Sequence, residues 1–106
     1  MKSIVFVCSP YAGDIERNKR VARLVCRQLI EEGFTPIAPH LFYPEILDDN
    51  DPEARELGIN LGLDILSNCT RMFVYDRNGV SEGMKKELQF AEDNNIEVTY
   101  VPWEID

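Results

Sequence analysis

The sequence predicts one three-layer α/β domain of the Rossmann or flavodoxin-like kind, with a parallel sheet of about four strands. Three observations predict it. Short β-branched and aromatic runs without polar alternation read as strands buried on both faces. Segments of helical period separate each run from the next, which forces parallel pairing through right-handed crossovers. The 106 residues leave room for one core, so a single domain is expected over residues 1–106.

The first strand runs from Lys2 to Cys8 around IVFV. Ser9-Pro10-Tyr11-Ala12-Gly13 breaks it, and Asp14 is a good N-cap. From Ile15 to about Glu32 the residues Asn18, Val21, Ala22, Val25 and Leu29 recur at helical spacing. Gly33 stands where a helix stops. Thr35 to Ala38 is a second, short strand, and Pro36 marks it as an edge or a strand start.

The segment Pro39-His40-Leu41-Phe42-Tyr43-Pro44 follows, then the polar run Asp48-Asp49-Asn50-Asp51. Asp51-Pro52 opens a second helix, with a cap and then proline at the first position. Ala54, Leu57, Leu61 and Ile65 mark its expected buried face. Gly58 and Gly62 weaken it and would permit a close approach by another backbone. Arg71 to Tyr75 is a third strand, and Asp76-Arg77-Asn78-Gly79 is turn chemistry. Ser81 caps a third helix reaching about Asn94, with Met84, Leu88 and Ala91 inward. Glu97 to Val101 is the last strand.

Composition narrows the function. The net charge of −8 repels phosphate backbones, so nucleic acid is a poor partner. The three cysteines, Cys8, Cys26 and Cys69, form no CxxC or Cys/His cluster, which disfavours a disulfide framework or structural zinc. Asp48 to Asp51 lacks the glycine and terminal glutamate of a calcium loop. No cofactor or metal is expected. No apolar stretch approaches the roughly 18 residues of a membrane span, and the opening run is too short for a secretory signal. A cytoplasmic protein is the expectation.

In an open parallel sheet, ligands sit beyond the carboxyl ends of the strands. Ser9 to Asp14, Pro39 to Pro44 and Asp76 to Gly83 converge there. The first loop is neither GxGxxG nor a Walker loop, which argues against a dinucleotide or triphosphate in the usual cradle. Ser9 and Tyr11 remain as donors, and an ordinary capped turn is the plain alternative. His40, the lone histidine, is either a satisfied loop residue or an acid–base group. On a helical wheel Asp64 shares a stripe with Leu57, Leu61 and Asn68, where a carboxylate must be paired or useful. Glu87 lies one to two turns into the third helix, between Met84 and Ala91. The helix dipole there favours its ionised form, and such a carboxylate is a plausible nucleophile toward a glycosidic carbon. Lys85 and Lys86 are at the wrong spacing to face it.

Three stretches carry a resemblance: IVFVCSPYAGD, LGLDILSNCTRMFVY and GVSEGMKKELQFA. The chain resembles the nucleoside 2-deoxyribosyltransferase-like superfamily, in particular its short bacterial and phage members. The resemblance implies cleavage or exchange of an N-glycosidic bond in a (deoxy)nucleoside or its 5′-monophosphate. Glu87 would attack the anomeric carbon, Asp64 would orient the sugar or assist base departure, and Tyr11 would steady the nucleophile. Ser81 and the neighbouring amides of Gly83 and Met84 would recognise a 5′-hydroxyl or 5′-phosphate. Ser9, Pro10, Gly13, His40 and Asp76 complete the expected substrate-binding set. A homo-oligomer is implied, because relatives complete their sites across an interface. The sequence ends at Asp106, straight after the last strand, where true transferases are longer. That adds weight to a hydrolase, or to a protein that binds a nucleotide or nucleotide signal without turnover.

Overall fold

The computed structural model describes residues 3–105. Its elements are β1 (Ile4–Cys8), α1 (Ile15–Glu31), β2 (Thr35–Ile37), a 3-10 turn (Pro39–Leu41), α2 (Tyr43–Ile46), α3 (Pro52–Leu66), β3 (Arg71–Val74), α4 (Glu82–Asp93) and β4 (Glu97–Tyr100). The strands form one parallel sheet in the order β2-β1-β3-β4. The α/β class and the parallel sheet are as the sequence predicts. The Lys2 end of the first strand lies outside the described residues.

Side-chain alternation along β1 divides the core. Val5 and Val7 point to one face and pack with Val21, Val25 and Leu29 of α1. Phe6 and Cys8 point to the other and pack with Leu66 of α3 and with Met84 and Ala91 of α4. Successive side chains of a strand face opposite ways, so the unalternating IVFV run serves two cores at once. The stripe predicted for α1 is the one observed: Asn18, Val21, Ala22, Val25 and Leu29 are its buried residues. Asp14 accepts from Arg17 N–H at 3.2 Å, and Gly33 takes a left-handed φ of +95° just beyond the helix.

β2 is an edge strand, which accommodates Pro36. The chain leaves β1 for β2 on one side and returns to β3 on the other. The C-terminal ends of β1 and β3 therefore flank the reversal of strand order, where open sheets leave a crevice.

Residues 39–46, to which the sequence reading assigns no element, are a 3-10 turn and a one-turn helix. Lys19 of α1 pins α2 through a 2.6 Å contact to Glu45. One expectation is corrected: the inward stripe of α3 is rotated from the one predicted. Leu57 is 50% exposed, while Gly62 and Leu66 are the buried positions. The glycines face inward because the Pro39–Leu47 segment packs there: a Cβ on Gly58 would lie 3.6 Å from Leu47 Cδ1, and one on Gly62 would lie 3.9 Å from Pro39 Cβ. Asp64 shared the mistaken stripe. It is exposed, and its backbone carbonyl accepts from Ser67 Oγ and Asn68 Nδ2.

Candidate active site

A cleft opens at the carboxyl edge of the sheet, on the face covered by α3 and α4. Its cavity volume is about 100 Å³, below the range of about 300–1,000 Å³ usual for small-molecule sites, so a ligand there would stay partly exposed. Each of its walls has a local cause.

The β1–α1 loop supplies Ser9, Tyr11 and Ala12. Asn18, a buried polar residue on the α1 stripe, holds this loop: its Nδ2 donates to the carbonyls of Tyr11 and Ala12, both at 3.0 Å. An amide facing the core is satisfied in this way. Gly13 turns the chain into the helix with φ +98° and does not line the cleft. Pro10 is buried behind it.

The 3-10 turn and α2 supply His40 and Tyr43. His40 Nε2 lies 2.8 Å from Ser9 Oγ. Burial lowers the His40 pKa to about 4, so the imidazole is neutral at physiological pH and has one ring nitrogen engaged by the serine. Opposite, Gly58 and Gly62 of α3 form a wall without side chains, beside Arg55 and Ile59.

The start of α4 supplies Ser81, Gly83, Met84 and Glu87. Ser81 Oγ accepts from Met84 N–H at 3.2 Å, and Ser81 N–H donates back to Met84 Sδ at 3.4 Å. This is a capping box closed by a thioether where a carboxylate is usual. It fixes the first turn of α4 and hence the heading of Glu87 one turn later. Lys85 pairs with Glu82 at 3.2 Å, away from Glu87.

Glu87 is partly buried on the cleft wall. Burial raises its pKa to about 7, with the nearby Cys8 thiol opposing the rise. The expectation of a carboxylate held ionised by the helix dipole is therefore corrected. Desolvation by the packed walls outweighs that dipole, which acts only within the first turn. Tyr11 is also raised, first by desolvation and then by the carboxylates of Asp49, Glu45 and Glu16, with Lys19 opposing.

The structure thus brings Glu87, Tyr11, Ser9, His40, Ser81, Gly83 and Met84 to one cleft. It leaves Asp64, Asp76, Pro10 and Gly13 off its walls. Asp76 is exposed, and its carbonyl closes the turn to Gly79 N–H at 2.9 Å. Sequence reasoning missed Arg55 and the role of Gly58 and Gly62 as a wall. The one-turn spacing of the two glycines was the available signal. It also missed Cys8 beneath Glu87, for which no sequence signal exists. Among the described residues, no group of three or more His, Cys, Asp or Glu side chains gathers as a metal site. No helix among them is long and apolar enough to cross a membrane.

A family model described as a domain of unknown function (DUF7768) matches residues 3–101. The chain belongs to the DUF7768 family. No curated protein matches this DUF7768 chain. Among solved structures it is similar to a 2-deoxyribosyltransferase from the psychrotolerant bacterium Bacillus psychrosaccharolyticus, described as a biocatalyst for nucleoside synthesis. The two share 17% identity and superpose with a TM-score of 0.68, over 98% of this chain and 77% of that one. The likeness shows that this chain and that enzyme share a fold.

Proposed function

We propose that this DUF7768 chain cleaves or exchanges the N-glycosidic bond of a (deoxy)nucleoside or its 5′-monophosphate, with Glu87 as nucleophile. The observation that carries the reading is the Glu87 carboxylate on the wall of an open cleft, at the switch point of a sheet shared with a deoxyribosyltransferase.

In the first step an oxygen of ionised Glu87 bonds to the anomeric carbon. The bond from that carbon to the base nitrogen breaks, its electron pair leaves with the base, and the base takes up a proton. A water or a second base then attacks the same carbon, frees the Glu87 carboxylate and loses a proton. Neutral His40, held by Ser9, is in this reading the hydrogen-bonding group for the base. Ser81, Gly83 and the α4 N-terminus line the same cleft and in this reading take the 5′ oxygen. Asp64 has no part in this reading, because it stands outside the cleft.

Incubation with a panel of deoxynucleosides and their 5′-monophosphates, followed by chromatography of released base, tests it. Wild type should release base from at least one, and Glu87→Ala should lower the rate by about 10³-fold or more, the scale expected for a missing nucleophile. Mass spectrometry of the quenched reaction should show a sugar on Glu87. No release from any member of the panel overturns the reading.

One observation favours a second reading, a nucleotide-binding protein without turnover. A carboxyl with a pKa near 7 is half protonated at neutral pH, and the protonated half donates hydrogen bonds rather than attacking carbon. Calorimetry would then show tight binding of an unaltered ligand, and Glu87→Gln, which keeps a donor, would change affinity little.

A further inference from the structure

His40 is the sole histidine of the chain and lines the cleft together with Ser9. The two come from different elements. Ser9 directly follows β1, and His40 is the middle residue of the 3-10 turn that follows β2. Ser9 Oγ lies 2.8 Å from His40 Nε2. Among the described residues, this is the one hydrogen bond that either side chain makes. Ser9 is only 5% exposed.

Counting donors and acceptors sets the direction of that bond. A serine hydroxyl carries one proton and two lone pairs, and a neutral imidazole carries one N–H and one bare nitrogen. If Nε2 held the ring proton, it would donate to Ser9 Oγ. The buried hydroxyl proton would then have no partner, which costs free energy. If Ser9 donates to a bare Nε2, its proton is satisfied and the ring proton sits on Nδ1. Nδ1 itself has no partner among the described residues. The one side-chain nitrogen or oxygen sealed among them without a partner is Asn78 Nδ2. His40 Nδ1 is therefore open, and the open space that its ring lines is the cleft.

We propose that Ser9 is a positioning residue that fixes His40 as its Nδ1–H tautomer, so that the cleft presents an uncharged N–H donor to an acceptor edge of the departing nucleobase. The role at the base rests on the glycosyl-transfer reading, whereas the tautomer does not.

The chemistry suits such a donor. The bond made by one ring nitrogen decides what the other offers. Here the bond comes from a firm support: Cys8, the residue before Ser9, pairs with Val74 of β3, and its carbonyl accepts from Tyr75 N–H at 2.9 Å. Burial keeps the imidazole neutral above about pH 4. As the bond from the anomeric carbon to the base nitrogen breaks, its electron pair moves onto the base. A fixed N–H dipole stabilises charge that develops there. The ring keeps its proton, and water protonates the freed base. Bases with a ring nitrogen or carbonyl oxygen at that edge are selected over bases that offer only an amino group. Tyr11, Tyr43, Asp49, Arg55, Ser81 and Glu87 also line the cleft, and none of them hydrogen-bonds to His40.

Two measurements test this. The first is 15N NMR of the full chain labelled at histidine, in which every ring signal belongs to His40. At neutral pH the proton should lie chiefly on Nδ1. Ser9→Ala should move part of it to Nε2, and Ser9→Thr, which keeps a hydroxyl, should leave it on Nδ1. A wild-type proton held chiefly on Nε2 overturns the proposal, as does an unchanged distribution in folded Ser9→Ala. The wild-type arm stands even if a variant fails to fold.

The second compares leaving groups in base release. His40→Phe should lower kcat by about 10²-fold for a nucleobase. It should have little effect on a p-nitrophenyl deoxyriboside, whose leaving group departs as a stable anion. Equal losses on both substrates would remove His40 from the leaving-group side and overturn that part. Loss of the glycosyl-transfer reading would appear as no base released by wild type, and it would leave the NMR result unchanged.

Discussion

At the scale of the residue, burial sets the state of two ionisable groups on the walls of the cleft. It moves Glu87 up to about 7 and His40 down to about 4, in each case toward the neutral form. For Glu87 this has a consequence for stability. Its folded pKa lies above the ordinary carboxyl value, so its favourable contribution is complete below that value and is lost as pH rises through about 7. Glu87→Gln removes the charge that must be buried. The variant should match wild type near pH 4 and exceed it by on the order of 2 kcal/mol at pH 8.5, measured by urea unfolding at both values. An equal difference at the two pH values would mean that Glu87 is not desolvated. If Glu87 is the nucleophile, base release should also rise with pH through about 7, because only the ionised form attacks.

At the scale of the element, α3 is where sequence and structure part. Its periodicity showed a helix, and Asp51-Pro52 showed where it starts: Asp51 accepts from Glu53 N–H at 3.3 Å. Its rotation was not legible. A helical wheel ranks faces by side-chain hydropathy, and glycine has no side chain to rank. The elements packed around the helix set it: the glycine face meets the 39–46 segment, where an added Cβ would make ordinary contacts. Gly62→Ala should therefore raise stability by about 0.5–1 kcal/mol through helix propensity, since the new Cβ meets only an ordinary contact with Pro39. The same methyl adds bulk to the cleft wall and should weaken ligand affinity. Thermal melts and calorimetry on the one variant would show the opposed changes, whereas unchanged affinity would remove Gly62 from the binding surface. By contrast, α1 was read correctly residue by residue, including Asn18. Its inner face meets the sheet, so the helical period of its apolar residues decides it, and Asn18 falls on that stripe.

At the scale of the whole molecule, the segment after β4 closes the α1 face of the sheet. Trp103 and Ile105 pack on the cluster of Val5, Val7 and Phe73. Tyr75, almost fully buried, donates its hydroxyl to Ile105 O at 2.8 Å and accepts from Ile105 N–H at 3.2 Å. Arg77 reaches the carbonyls of Pro102 and Trp103, both at 3.2 Å. Tyr75 stands directly after β3, at the carboxyl edge that borders the cleft, so this segment and the site share a support. Tyr75→Phe should cost about 1 kcal/mol and speed hydrogen exchange at the Ile105 amide, with α4 amides unchanged. If the Ile105 amide exchanges no faster in the variant, the hydroxyl is not what holds the segment.

What the sequence determined by itself is the order of strands and helices, the parallel sheet and the edge where the cleft lies. Period, caps and breakers are local, and parallel crossovers follow from their order. Tertiary structure alone decided that Asp64 faces solvent, that two glycines wall the cleft, that a thiol sits beneath Glu87, and that Glu87 titrates near neutrality. Those outcomes depend on how several elements press on one point, and desolvation there is a sum over neighbours that are distant in the chain.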